Sequence, residues 1–342
     1  MNQSGTIKSV EPKYAIPGAE IAIEIDGFSA NMRGGNGVFV GGEKCRIVAA
    51  SSSRVLAVVP DIVGSIHTQI HLEVEGRQSE PFPIVIGKKL AGGMHIVANP
   101  AVDPLDDALI LTRSGSRGQQ LDETLFRLEP DGFLDDMPYE ILNPTGIAFD
   151  REGRMFVTNR ARGEVYLMDR DGTSSVYATG LGVATGIAFD KNGEMYVGDR
   201  SGTIHRVKEL GIVETFAVIE PSVAAYHLAF GPDEQLYVSA PGLASFDAVH
   251  VIDHEGFDER FFRGLGRPQG LAFDKAGNLY VAGCYRGHHG ITRILPDGSA
   301  GEHFVAGNNV VGLCFTRKGE MIVATNDSVY SIPCGIEGVL LG

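Results

Sequence analysis

Four loops of this 342-residue chain place an arginine directly after a run of β-forming residues: LTRSGSRG at 111–118, TNRARG at 158–163, GDRSG at 198–202 and CYRGHHG at 284–290. A guanidinium presents a planar fork of donors that matches carboxylate, phosphate or sulfate. Arg113, Arg160, Arg200 and Arg286, brought to one place, would make a local cationic site in a chain of formal net charge −14. The competing reading pairs these arginines with Asp199, Asp247 and Asp327 as a rim that neutralises itself. LTRSGSRG is no phosphate-cradling P-loop, since it lacks the Gly-Lys-Ser/Thr ending and a following helix.

Other residue types offer weaker chemistry. His227, next to Tyr226, is a candidate general acid or base, because an imidazole near its ordinary pKa both takes and gives a proton; a hydrogen-bonded structural histidine is the alternative. His288 and His289 are adjacent, and neighbours in extended chain point to opposite sides, which disfavours one shared metal. No G-x-S-x-G elbow marks a serine hydrolase and no G-x-G-x-x-G marks a dinucleotide fold. Cys45, Cys284, Cys314 and Cys334 are too widely spaced for a zinc ribbon or redox pair and read as reduced thiols.

Internal repetition sets the elements that must carry these loops. TGIAFDREGRMFVTN begins at Thr145, TGIAFDKNGEMYVGD at Thr185, YHLAFGPDEQLYVSA at Tyr226, QGLAFDKAGNLYVAG at Gln269 and VGLCFTRKGEMIVAT at Val311, at intervals of 40, 41, 43 and 42 residues. A period in the low forties, built of short strands and turns, suits one blade of a propeller. Within a repeat, GIAFD and MFVTN read as the first two strands around a charged Gly turn, EVYLMD as the third and SVYAT as the fourth. The third strand also recurs as TLFRLEPDG, so a divergent repeat with ALILTRS as its second strand precedes Thr145. Six units are expected over 94–342.

Residues 7–87 lack this period and show alternating segments such as AEIAIEI, VLAVVP and IHLEVEG between Pro-Gly and Ser-rich turns. They predict a β-sandwich of immunoglobulin size over 1–87, with GKKLAGG, 88–93 at its heart, as a short basic linker. The expected fold class is all-β: a six-bladed β-propeller preceded by a small immunoglobulin-like sandwich. Hydrophobic residues at 43% and charged residues at 21% fit a globular protein. The acidic balance argues against nucleic-acid or anionic-membrane partners, which require clustered Lys and Arg. The N-terminus has no basic and apolar leader and no apolar run of spanning length, so the expected location is cytoplasmic, or exported as a mature form with its signal removed.

Two resemblances follow from these residues. IKSVEPKYAIPGAEIAIEIDGF, VFVGGEKCRIVAASSSRVLAVVP and PFPIVIG resemble an IPT/TIG domain, an immunoglobulin-like module that in its family mediates contacts or acts as a spacer. The G-x-A-F-D, x-G-x-x-Y-V and x-V-x-P-D-G signatures over 94–342 are similar to NHL-type propellers and to the senescence marker protein/gluconolactonase family. The second resemblance implies one divalent metal, calcium or zinc, on the channel axis, held by a Glu and by Asn and Asp. Here the corresponding positions hold Thr145, Thr185, Tyr226, Gln269 and Val311, and the Glu is replaced near Ala98 and Asn99, which leaves Asn99, Asn143 and Asp199 as the candidate oxygen ligands.

Alternating connections place two loops of every blade on one face, those before the first strand and those after the second. Asn99, Asn143, Thr145, Thr185, Tyr226, His227, Arg267, Gln269 and Asn309 come from the former. Arg113, Arg117, Asn159, Arg160, Asp199, Arg200, Tyr285, Arg286, Asn326 and Asp327 come from the latter. The favoured reading is a protein that binds a small polar or anionic molecule, or a peptide, at the channel mouth, with the IPT/TIG module as a docking or spacing element. The alternative is a gluconolactonase-type hydrolase of a lactone or related ester, using a divalent metal or His227 as base; a lyase with a channel histidine is a third.

Overall fold

The computed structural model describes residues 5–27, 37–62, 67–74, 76–115, 119, 121–243 and 246–340. Ser116, Arg117 and Gly118 of the first arginine loop lie outside the described residues. The chain is all-β, and no helix among the described residues is long and apolar enough to cross a membrane.

The N-terminal strands are β1 (Thr6–Glu11), β2 (Tyr14–Ala15), β3 (Glu20–Asp26), β4 (Gly37–Val40), β5 (Glu43–Lys44), β6 (Arg46–Ala50), β7 (Arg54–Val58), β8 (His67–Val74), β9 (Arg77–Gln78) and β10 (Phe82–Ile86). One sheet runs β1-β3-β7-β6. A second runs β2-β10-β8-β4-β5, with β9 on β8. Their apolar faces share a core that includes Ile21, Ile23, Val55, Ile70 and Ile84, as the alternating pattern of the sequence requires.

From β12 onward the strands form antiparallel meanders of four. The first is β12 (Ala101–Val102), β13 (Leu109–Thr112), β14 (Leu125–Leu128) and β15 (Leu134–Asp136). The next two are β16 (Pro144–Phe149), β17 (Met155–Asn159), β18 (Glu164–Met168) and β19 (Ser174–Ala178), then β20 (Ala184–Phe189), β21 (Met195–Asp199), β22 (Thr203–Lys208) and β23 (Ile212–Val218). A fourth holds β24 (His227–Phe230), β25 (Leu236–Ser239), β26 (Asp247–Ile252) and β27 (Asp258–Gly266), and a fifth β28 (Leu271–Phe273), β29 (Leu279–Tyr285), β30 (His288–Ile294) and β31 (Gly301–Ala306), the two being joined where Leu265 and Gly266 of β27 pair with Tyr285 and Cys284 of β29. The last comprises β32 (Val310–Phe315), β33 (Glu320–Thr325) and β34 (Val329–Pro333).

The last meander borrows its fourth strand. Residues 88–91, expected to belong to a linker, form β11 (Lys88–Ala91) and pair antiparallel with β34, so chain from the start of this region closes its end. The first strands contact one another in succession, β16 to β20 to β24 to β28 to β32, and the circuit returns from β32 to β12 and from β13 to β16. The ring is therefore closed.

The recurring Gly of the TGIAF repeats has a steric cause. A Cβ on Gly146 would lie 2.5 Å from the Thr185 carbonyl oxygen, one on Gly186 2.6 Å from that of Tyr226, and one on Gly312 2.5 Å from that of Ala98. Neighbouring first strands approach too closely at the channel for any side chain there. The strands beside these glycines are buried throughout, as in β16 and β32, whereas the outer β19 is mostly exposed. That gradient explains why the first strand of each repeat reads as an unbroken apolar run and the fourth does not.

The N-terminal region is joined to the ring by backbone pairing. Strand β2 runs parallel to both β10 and β31, pairing Tyr14 with Val305 and Ala15 with Ala306. The Ile16 N–H donates to the Ala306 carbonyl at 3.0 Å, and Ile16, Val305, Ile332 and Phe315 belong to one continuous apolar core with the N-terminal sheets.

Candidate functional site

At one end of the channel the loops enclose a cleft of about 890 Å³. Arg160, Arg200 and Arg267 line it, together with His95, His289, Gln269, Asn309 and Asn326. No acidic residue is among its described lining, in a chain that carries 43 aspartates and glutamates. No arginine of the cleft forms an ion pair among the described residues. Asp199, Asp247 and Asp327, the proposed neutralising partners, are occupied otherwise.

Local chemistry explains each of these positions. Asn159 ends β17 and its side-chain oxygen accepts the N–H groups of Ala161 and Arg162, an Asx turn that projects Arg160. Burial, and then the positive charge of Arg200, lowers the pKa of Arg160; its guanidinium donates to the Gly115 carbonyl at 3.3 Å. Asp199 performs the same turn service after β21, accepting from the N–H groups of Val183 and Ser201 and from the Ser201 hydroxyl. Asp247 accepts from the Gly242 N–H and from the Arg267 N–H, each at 3.1 Å. That bond holds Arg267 at φ 50°, a left-handed conformation costly for a side chain of this size. Asp327 accepts from the Ser328 hydroxyl at 2.6 Å.

Hydroxyls on or just after the second strands tie three such loops to the next meander. Ser114 donates to the Pro144 carbonyl at 2.7 Å, Thr158 to that of Thr185 at 2.6 Å, and Ser239 to that of Gln269. The mouth is thus a framework of buried side-chain-to-backbone bonds from which the arginines project.

The sequence candidates divide between this cleft and the wall beneath it. Arg160, Arg200, Gln269 and Asn309 are brought together. Arg113 and Arg286 do not line the cleft; the Arg286 guanidinium lies 4.9 Å from the centre of the Tyr285 ring. Thr145, Thr185 and Tyr226 are fully buried. The Thr185 hydroxyl donates to the Gly198 carbonyl at 3.1 Å and accepts from the Tyr226 N–H at 3.0 Å, and the Tyr226 hydroxyl donates to the Glu220 carbonyl. Asn143 is left-handed at φ 51°, with its side-chain oxygen buried and unpartnered.

His227 is 3% exposed and lines a narrow inner cavity of about 100 Å³ within the ring of first strands. Burial lowers its pKa to about 4, and its Nε2 has no hydrogen-bond partner among the described residues. The far end of this cavity is lined by Val339 and Leu340, with the Val339 N–H donating to the Phe273 carbonyl at 2.8 Å. His95 was not singled out by sequence because it precedes the first recognisable repeat; its place in the cleft follows only from ring closure.

Two of the three candidate oxygen donors, Asn99 and Asp199, are engaged in bonds within the protein. The Asn99 amide spans two meanders, donating to the Leu271 carbonyl and accepting from the Leu313 N–H, both at 3.0 Å. The Asp199 carboxylate already accepts from the Val183 N–H and from the N–H and hydroxyl of Ser201. Among the described residues no three His, Cys, Asp or Glu side chains group to hold a metal.

A closed ring of four-stranded antiparallel meanders around a channel defines a β-propeller. No protein-family model matches the chain, and no curated protein matches it. Solved structures do share its fold. A protein described as a candidate gluconolactonase is 17% identical, with 74% of this chain and 93% of that one covered and a TM-score of 0.61. An auxiliary nutrient binding protein from Bacteroides thetaiotaomicron is 14% identical over 96% of this chain and 98% of its own, with a TM-score of 0.56. A streptogramin B lyase is 15% identical, covering 77% and 85%, with a TM-score of 0.51. At these identities the likeness is one of fold, and the site must be argued from its own residues.

Proposed function

We propose that this chain is a six-bladed propeller with an immunoglobulin-like N-terminal module, and that it binds a small anionic molecule, or an acidic group of a peptide, at the channel mouth. One observation carries the reading: three arginines and two histidines line a cleft with no acid among its described lining, in a protein of net charge −14. Exposed arginines in an acidic protein ordinarily find carboxylates, and a cleft kept clear of them favours an external anion. The nutrient binding protein matched over nearly the whole chain is consistent with a binding role. The backbone pairing of β2 with β31 supports a docking role for the N-terminal module over free swinging.

Titration calorimetry against a panel of phosphate, sulfate, mono- and dicarboxylates and sugar phosphates tests the reading. Replacement of Arg160 and Arg200 together by Ala is expected to weaken any binding found at least tenfold. Arg113→Ala, outside the cleft, serves as the comparison. Unchanged affinity in the double variant overturns the assignment.

A further inference from the structure

The cationic cleft also has an apolar lip. Leu243 is 95% exposed and Val223 is 42% exposed, and both line the cleft beside Ala224 and Ala225. Their position relative to the cations is fixed by backbone bonds. The Ser222 N–H donates to the Arg200 carbonyl at 2.9 Å, and the Val223 N–H donates to the Pro241 carbonyl at 2.9 Å. The Ser222 hydroxyl donates to the same Pro241 carbonyl at 2.9 Å. One short segment therefore stands between Arg200 and the loop of Leu243, putting a guanidinium and two branched apolar side chains on the same rim. Exposed Leu243 and Val223 lining one cleft with Arg200, which has no ion pair among the described residues, favour a ligand that presents both an anion and an apolar surface.

We infer that the occupant of the cleft is an amphipathic organic anion, its charged group held by Arg160 and Arg200 and its apolar body lying against Val223 and Leu243. This rests on the anion-binding reading and narrows it: phosphate, sulfate and short carboxylates would fill only the cationic part, and an anion with an aliphatic or aromatic body would use both.

The test is a titration of the full chain, followed by NMR, with butyrate, hexanoate, octanoate and neutral 1-octanol. Affinity is expected to rise roughly two- to fourfold per added methylene, the gain that burial of a methylene gives. In Leu243→Asn the gain from butyrate to octanoate is expected to shrink at least threefold; the side chain is exposed, so folding is not at stake. Affinity that does not change from butyrate to octanoate overturns the apolar lip while leaving the anion site standing. Octanol binding as tightly as octanoate, with Arg160→Ala and Arg200→Ala both silent, overturns the anion site and this inference with it.

Discussion

Arg160 and Arg200 line the same cleft, and the charge of Arg200 adds to burial in lowering the Arg160 pKa. Two cations from successive blades face one space, with no carboxylate among its described lining. Such a pair repels itself until an anion shields it.

This relationship predicts anion-dependent stability. Sulfate or phosphate should raise the melting temperature by mass action on the folded state, and the rise should be smaller in Arg200→Gln. Without added anion, Arg200→Gln should leave unfolding free energy within about 0.5 kcal/mol of the parent, since among the described residues its side chain makes no bond that holds the fold. Thermal melts across an anion series, with chloride as the reference, measure both.

The glycines of the first strands make a second prediction. Gly186→Ala would place a methyl carbon 2.6 Å from the Tyr226 carbonyl oxygen and 2.7 Å from Leu228 Cδ1, on a strand with no room to move outward. A destabilisation of about 2–3 kcal/mol is expected. Gly193, in an open turn with nothing within 4 Å, is the contrast, although its φ of 87° makes Ala there strained for a different reason. Urea unfolding of Gly186→Ala beside the parent checks the figure.

How much of this was legible in the sequence follows from the same packing. The repeats were readable because every first strand meets the same buried, crowded environment and so keeps the same apolar and glycine pattern. Loops leave that environment, and there spacing loses its force: Arg160 and Arg286 hold comparable places after a second strand, yet one lines the cleft and the other stacks on Tyr285. Strand β11 was unreadable because two lysines and flanking glycines resemble a linker, and its partner β34 lies at the opposite end of the chain. Asp199 looked like a ligand in sequence, but an aspartate at the end of a strand, with Ser201 and Gly202 two and three residues on, serves the following turn equally well.

His227 supplies a pH prediction. Burial holds its pKa at about 4, below the ordinary 6.5, so the folded protein keeps it neutral where the unfolded chain takes up a proton. Its effect on stability is absent above about pH 6.5, grows as the pH falls toward 4, and levels off below that, to a loss of order 3 kcal/mol. His205 and His303, both lowered chiefly by burial, act in the same direction. His227→Gln should therefore flatten, without abolishing, the fall in unfolding free energy between pH 7 and pH 4.5. Denaturant melts of both proteins at matched pH values decide it, and parallel slopes would show that His227 does not carry the effect.

Asp103 carries a separate electrostatic load on the wall of the ring. Burial tends to raise its carboxyl, but hydrogen bonds from Arg170, the Leu105 N–H and Arg127 outweigh this and hold it below the usual range. Arg127 donates to Asp103 at 2.9 Å and to Glu129 at 2.6 Å, and Arg170 reaches the same Asp103 from the next blade at 2.9 Å. Asp103→Ala should cost about 2–3 kcal/mol, because it leaves Arg127 short of its most buried partner. With a lowered folded pKa, the contribution is present at neutral pH and is lost only as the pH falls below the ordinary carboxylate range. The difference between parent and variant should thus persist at pH 6 and narrow toward pH 3.

The N-terminal region gives the sharpest architectural prediction, since β11 and β2 perform different tasks. A chain beginning at Gly87 keeps β11 against β34 but removes β2, which exposes the edge of β31 and uncovers Val305 and Ile332 in the shared core. It should fold, melt at lower temperature and self-associate through the freed strand edge. A chain beginning at Gly92 loses β11 as well, so the last meander has three strands, the ring has no closing strand, and cooperative unfolding should disappear. Melting and light scattering of the two truncations separate these effects. If the chain beginning at Gly87 melts and scatters like the full protein, the N-terminal module is an independent spacer and its pairing with the fifth meander contributes nothing to stability.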